Sequence, residues 1–191
     1  LYRVGYNFKN YGASQAGQED VNGNYSELPV VTAPVYEIGD IVYTRTVTNK
    51  FGTICLPYGS TNYSGATFFE IAYIENDKVY IDEVTTLKAG VPYIFQANSS
   101  TLTVTCEGTP DVAKYKNGLY GTFIEIADVA AVHADEDEYI LTGGLIRKCE
   151  SNCKVPANRA YIVLDKISTE KTPAPVNRRR VGMTVNGENT E

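Results

Sequence analysis

Tryptophan is absent from this chain, and methionine and histidine occur once each. The single histidine, His133, lies in the acidic, Ala-rich stretch His133-Ala134-Asp135-Glu136-Asp137-Glu138 and reads as an exposed surface residue. Hydrolytic triads need a base beside a nucleophile, usually His, so this scarcity weighs against them. There is no Gly-x-Ser-x-Gly elbow, no phosphate-cradling glycine loop followed by Lys, and no His-Glu-x-x-His. No apolar run approaches the ~20 residues that a bilayer-spanning helix needs. Basic residues are outnumbered 17 to 23, and a net charge of -6 argues against a nucleic-acid partner, which requires a positive field. The only strong basic run, Arg178-Arg179-Arg180, follows Thr172-Pro173-Ala174-Pro175 and reads as a solvated tail. The chain begins at Leu1 without an initiator Met or an apolar leader. That is expected of a processed or trimmed product, so the missing leader does not bear on destination.

Cysteine is also scarce: Cys55, Cys106, Cys149 and Cys153. Cys149 and Cys153 sit in the polar stretch Arg-Lys-Cys-Glu-Ser-Asn-Cys-Lys, which can close as a disulfide loop or carry free thiols. Half of a zinc site is the third reading, but two more ligands are needed, and only His133 is on offer. No metal and no other cofactor is expected. Cys106 alternates with Leu102 and Val104, opposite Thr101, Thr103 and Thr105, and reads as a small buried hydrophobe.

What the chain has in abundance is Tyr, 15 of them, and short runs of Val, Ile, Thr, Tyr and Phe broken by turn residues. Strands are expected near 41–48, 52–57, 67–74, 78–84, 92–97, 101–106, 119–124, 138–142, 145–148 and 160–166. Ile41, Tyr43 and Val47 face one way; Thr44, Thr46 and Thr48 face the other. Asn76-Asp77 and Gly143-Gly144 are two-residue turns whose types tolerate the positive φ of a tight hairpin, and Ala97 to Ser100 makes another reversal. Successive hairpins imply antiparallel sheets, and about ten strands must stack to bury both faces. The expected fold is therefore all-β, an antiparallel β-sandwich with at most one short helix. That helix is placed at 125–134, where Ile126, Val129 and Ala130 share a face.

The sandwich module is expected over 40–168. Residues 1–39 form an N-terminal strand and linker region of uncertain fold, with a strand at Tyr2 to Phe8 and a Gly-, Asn- and Ser-rich loop after it. Residues 169–191 read as a flexible polar tail.

Five stretches occur in a telling order: Tyr43-Thr44-Arg45-Thr46 with Gly52 to Tyr58, Gly65 to Ala72, Ala89 to Phe95, Asn117 to Phe123, and Ala157 to Ile162. Together they resemble the module near the C-termini of Bacteroidetes-type secreted and cell-surface proteins, including leucine-rich-repeat surface proteins and adhesin-like proteins. The resemblance covers roughly residues 40–167 and implies an extracellular or cell-surface all-β domain, secreted or anchored at the outer membrane. It brings no catalytic residues. Physically, Pro57 and Pro92 suit strand ends because they lack an amide donor. Gly90 allows a tight turn, and Gly118 and Gly121 allow close backbone approach or positive φ. Arg159 is expected to pair with a carboxylate such as Glu70 or Asp82.

The functional expectation is a non-catalytic surface module, adhesion-like or structural, with a protein or glycan partner at the cell surface. The alternative is a carbohydrate-binding module. Tyr58, Tyr63, Tyr115 and Tyr120 lie in or beside expected loops, where rings can stack on sugars, with Asn62, Asp111 and Asn117 nearby for hydroxyls. The third reading is a small glycan-acting enzyme, for which Glu70, Asp82 and Glu83 are strand-borne acids that could make a pair. The run 135–138 lacks the alternation and Gly of a calcium loop and reads as a solvated turn.

Overall fold

A strand whose apolar residues run consecutively, without polar residues between them, is buried on both faces. In Phe68-Phe69 and Tyr93-Ile94-Phe95 every one of these side chains is almost fully buried. A computed structural model, which describes residues 41–132 and 136–185, explains why. The strands that carry them lie in the middle layer of three.

Thirteen strands occur among the described residues: β1 (Ile41–Thr46), β2 (Phe51–Cys55), β3 (Gly59–Ser64), β4 (Ala66–Glu75), β5 (Lys78–Val84), β6 (Pro92–Ala97), β7 (Thr101–Glu107), β8 (Tyr115–Lys116), β9 (Leu119–Thr122), β10 (Glu138–Thr142), β11 (Leu145–Lys148), β12 (Arg159–Val163) and β13 (Arg180–Thr184). They form three antiparallel sheets, ordered β1-β7-β3, β13-β5-β4-β6-β2 and β11-β10-β12-β9-β8. The expected all-β sandwich is therefore the observed fold.

One core lies on one face of the middle sheet, where Phe69, Ile71, Val79, Ile81 and Ile94 meet Leu119, Tyr139, Ile146 and Ile162 of the third sheet. The other lies on its opposite face, where Phe68, Val84, Tyr93, Phe95 and Ile54 meet Leu102 and Val104 of β7. The first and middle sheets exchange chain at tight corners. β3 runs into β4 through Gly65, whose φ of 83° and backbone contact with Thr101 leave no room for a side chain. The reversal after β6 likewise carries the chain into β7 of the other sheet.

The two-residue turns behave as their sequences require: Asn76 and Asp77 have φ of 47° and 57°, and Gly143 and Gly144 have 59° and 85°. These are the positive values of a type I′ hairpin, whose twist matches that of the flanking strands. Thr53 stitches the middle sheet to the third: its hydroxyl donates to Ala160 O at 2.9 Å and accepts from Ala160 N at 3.0 Å.

Two expectations are corrected. Of the stretch at 125–134, the described residues 125–132 give only a single 3-10 turn, Val129–Ala131, because Ile126 is drawn into a β-bridge with Val155 and the chain there is extended. Asp128 caps the turn through its side chain. The segment after Ser168 is not wholly a flexible tail, and Arg178-Arg179-Arg180 is not merely solvated. β13 pairs with β5 from Arg180↔Asp82 to Thr184↔Lys78, with Met183 and Val185 buried in the first core. The expectations for residues 1–39, for His133 and for Asp135 lie outside the described residues.

A disulfide joins Cys149 and Cys153, with Cα atoms 5.6 Å apart. It packs with Val129, Val155, Tyr161 and Val163 on the outer face of the third sheet. Cys106 is half-buried at the end of β7, less enclosed than its alternation with Leu102 and Val104 suggests, because its partner Ile41 starts an edge strand.

Candidate functional site

β2 is an edge strand, and its outward backbone groups need partners or they invite another strand. Two of them are occupied. Arg45 donates from Nη1 to Thr53 O at 3.0 Å, and Cys55 N donates to Asn158 O at 3.3 Å. Arg45 gets there because it shares a face of β1 with Tyr43, pointing inward, and its guanidinium lies over the Phe95 ring at 5.0 Å. Arg159, at the start of β12, donates from Nη1 to the Tyr43 hydroxyl at 3.2 Å. The two cations therefore converge on one tyrosine.

Between them opens a cleft of about 170 Å³, lined among others by Arg45, Asn49, Phe51, Leu141, Lys154 and Arg159. Burial, followed by the neighbouring Arg159 charge, pulls the Arg45 guanidinium down to about 10 from an ordinary 12.5. Lys154 at the rim is paired with Glu125 at 2.9 Å. Neither arginine has a carboxylate partner among the described residues. The cleft, lined by Arg45, Arg159 and Lys154, can hold negative charge.

Sequence reasoning placed Arg159 with Glu70 or Asp82, and this is corrected. Glu70 is held by Lys116 of β8, while Asp82 takes a two-pronged bond from Arg180, at 2.6 and 2.7 Å. Arg45 was missed as a site residue although it stands in a singled-out motif. The available signal was its parity: a cation on the Tyr43 side of a strand whose other face carries Thr44 and Thr46.

The seven residues proposed for sugar contact are mostly engaged within the fold, with Asp111 beside the Pro57-Tyr58 segment, its backbone N–H donating to Pro57 O at 2.8 Å. Tyr58 is half-buried over a crevice of about 10 Å³, room for roughly one water. Tyr63 packs edge-on against Phe68, centroids 4.7 Å apart, and its hydroxyl donates to Val84 O. Asn62 is exposed in β3, with its backbone engaged by the Ser60 hydroxyl. Asp111 caps the Val112 amide and pairs with Lys114, whose hydrogen bond holds its carboxyl below the usual range. Asn117 bonds three backbone groups with its side chain.

Tyr115 and Tyr120 do come together. In register across β8, β9 and β12, Tyr115, Tyr120 and Tyr161 form a row, with centroids 4.7 and then 5.3 Å apart. The row runs from half-exposed Tyr115 to buried Tyr161, whose hydroxyl burial pushes up to about 12. No group of three or more His, Cys, Asp or Glu side chains suited to a metal occurs among the described residues. No described helix is long and apolar enough to cross a membrane.

Compared with protein-family models, curated proteins and solved structures, the chain matches none of them.

Proposed function

We propose that this chain is a non-catalytic extracellular surface module, adhesion-like or structural, of the kind carried by Bacteroidetes-type secreted and cell-surface proteins. One observation carries the reading: the strand acids that glycoside chemistry would draw on are tied to cations. Glu70 pairs with Lys116, Asp82 with Arg180, and Glu83 lies 4.0 Å from Arg179. A glycosidase needs one carboxyl free to give a proton and a second free to act on the sugar or on water. The Cys149–Cys153 disulfide agrees with an oxidising setting outside the cytosol.

Carbohydrate binding is the second reading, favoured by half-exposed Tyr115 at the open end of a tyrosine row. Protease shaving of intact cells that produce the full gene product tests the first. The module is expected to be released without lysis, and retention inside shaved cells would overturn surface display. Incubating the purified chain with a panel of polysaccharides tests the non-catalytic half, which new reducing ends would refute.

A further inference from the structure

About half of the described cations are matched to a carboxylate. Lys114, Lys116, Lys148, Lys154, Lys166, Lys171, Arg179 and Arg180 each have a carboxylate within 4.0 Å. Arg45 and Arg159 have none among the described residues, nor do Lys50, Lys78, Lys88, Arg147 and Arg178, but of these only Arg45 and Arg159 line one concavity, on either side of Tyr43, whose hydroxyl accepts from Arg159. Like charges held together without a counter-ion are costly, and a partly buried guanidinium pair is the arrangement that an oxyanion relieves. In a chain of net charge -6, such a patch stands out against a repelling background.

We infer that the Arg45–Arg159 cleft is an oxyanion site that takes the carboxylate of an acidic sugar residue. Each guanidinium carries five N–H donors in a planar fork. The described partners of Arg159 use only its Nη1, leaving Nε and Nη2 for a ligand. About 170 Å³ accommodates one acidic group with its ring, well below the roughly 300 Å³ at which drug-sized sites begin. Asn49, Phe51 and Leu141 also line the cleft, residue types suited to sugar hydroxyls and to a ring face. An acidic peptide laid on as an extra strand is disfavoured, since Thr53 O and Cys55 N on the β2 edge are already bonded.

The site does not depend on surface display, so the two readings fail separately. A free inorganic oxyanion shares the same chemistry, and the test divides the two sources. Purified full chain with 15N-labelled arginine is titrated with glucuronate, glucose and sodium sulfate while the Arg45 and Arg159 Nε–H signals are followed. Glucuronate is expected to shift both signals saturably and to bind at least about tenfold more tightly than glucose. Arg159→Gln is expected to weaken it about tenfold or more, and Arg159→Lys to remain weakened because an ammonium lacks the fork. Should Arg159→Gln fail to fold, the wild-type signals and the Lys variant decide. Equal binding of glucose, or shifts confined to other arginines, would overturn the site. Saturation by sulfate at lower concentration than glucuronate would reduce it to an inorganic-anion site and overturn the sugar assignment.

Discussion

The side chain of Asn117 closes the gap that Ala72 opens in the middle sheet. Register between β4 and β5 shifts between Ile71 and Tyr73, so Ala72 is the extra residue of a bulge. A bulge leaves backbone groups unpaired, and Asn117 Nδ2 donates to the carbonyls of Ile71 and Ala72, each at 2.9 Å. Its Oδ1 accepts from Ser168 N at 2.8 Å, and Ser168 O in turn accepts from Ile74 N. One amide thus ties β4 to the chain after β12. A residue suited by type to sugar hydroxyls is instead saturated by backbone.

Replacing Asn117 with Gly keeps its positive φ of 44° accessible but deletes all three bonds. Carbonyls left without a donor in a half-buried place cost about 1–3 kcal/mol each, partly relieved by water. The variant is expected to lose about 2–4 kcal/mol, read from the urea midpoint. Asn117→Asp is expected to be no better, since it sets a carboxylate against two carbonyl oxygens. An unchanged midpoint in both would show that the bulge is satisfied elsewhere.

A second expectation concerns the chain end. Arg180 grips Asp82 with two prongs, lies over Tyr73 at 5.1 Å, and donates to the carbonyls of Thr172 and Pro173. Asp82→Asn is expected to cost about 2 kcal/mol, because both partners are more than four-fifths buried. Met183→Ala is expected to cost about 2–4 kcal/mol through lost core volume. Ending the chain at Ser168 strips an edge strand from over Val79 and Ile81 and should abolish the cooperative transition. A truncated chain that melts like the intact one would mean that β13 contributes nothing.

The disulfide gives a third. Closing so short a loop is worth about 2 kcal/mol on the chain-entropy model. Its place beside Val129 and Val155 confines the effect to the outer face of the third sheet. The Cys149→Ser, Cys153→Ser double variant is expected to lose about 2–3 kcal/mol and to exchange the amide protons of position 153, Val155 and Val129 faster. Protection unchanged there would contradict this placement.

How far the sequence foretells all this differs between strands for a physical reason. The ten expected strands each coincide with an observed one, since each carries Val, Ile, Tyr or Phe at positions that a core must fill. β3 escaped because Gly-Ser-Thr-Asn-Tyr-Ser is an edge strand with only Ser60 buried, so no apolar alternation is demanded of it. β13 escaped for the same reason, its Arg-Val-Gly-Met-Thr burying only Met183 within the strand. The Arg45–Arg159 cleft was hidden more deeply. Each residue stood in a motif, but their meeting depends on how β1 and β12 converge on the β2 edge, a long-range fact that no local pattern encodes.

The two thiols should separate in reactivity. Cys55 is fully buried, its Sγ donating to Gly90 O at 3.2 Å beneath Gly121, where an added Cβ would approach within 2.4 Å. That burial pushes its thiol up from 9.0 to about 12. Cys106, half-buried, is also raised but remains reachable. Alkylation of native protein is therefore expected to label Cys106 first, and Cys55 only after unfolding. The same shift links stability to pH. Between about pH 9 and 12 the unfolded chain releases the Cys55 proton while the folded chain retains it, so the unfolded state binds fewer protons and stability falls as pH rises. The contribution is intact below pH 9 and declines by at most about 1.4 kcal/mol per pH unit above it. Tyr161, raised from 10.0 to about 12, adds to the loss at the alkaline end. Urea midpoints from pH 8 to 10.5 are expected to slope downward, and Cys55→Ala is expected to flatten the slope whatever its own packing cost. An identical slope in that variant would mean that the Cys55 thiol ionises as freely in the fold as out of it.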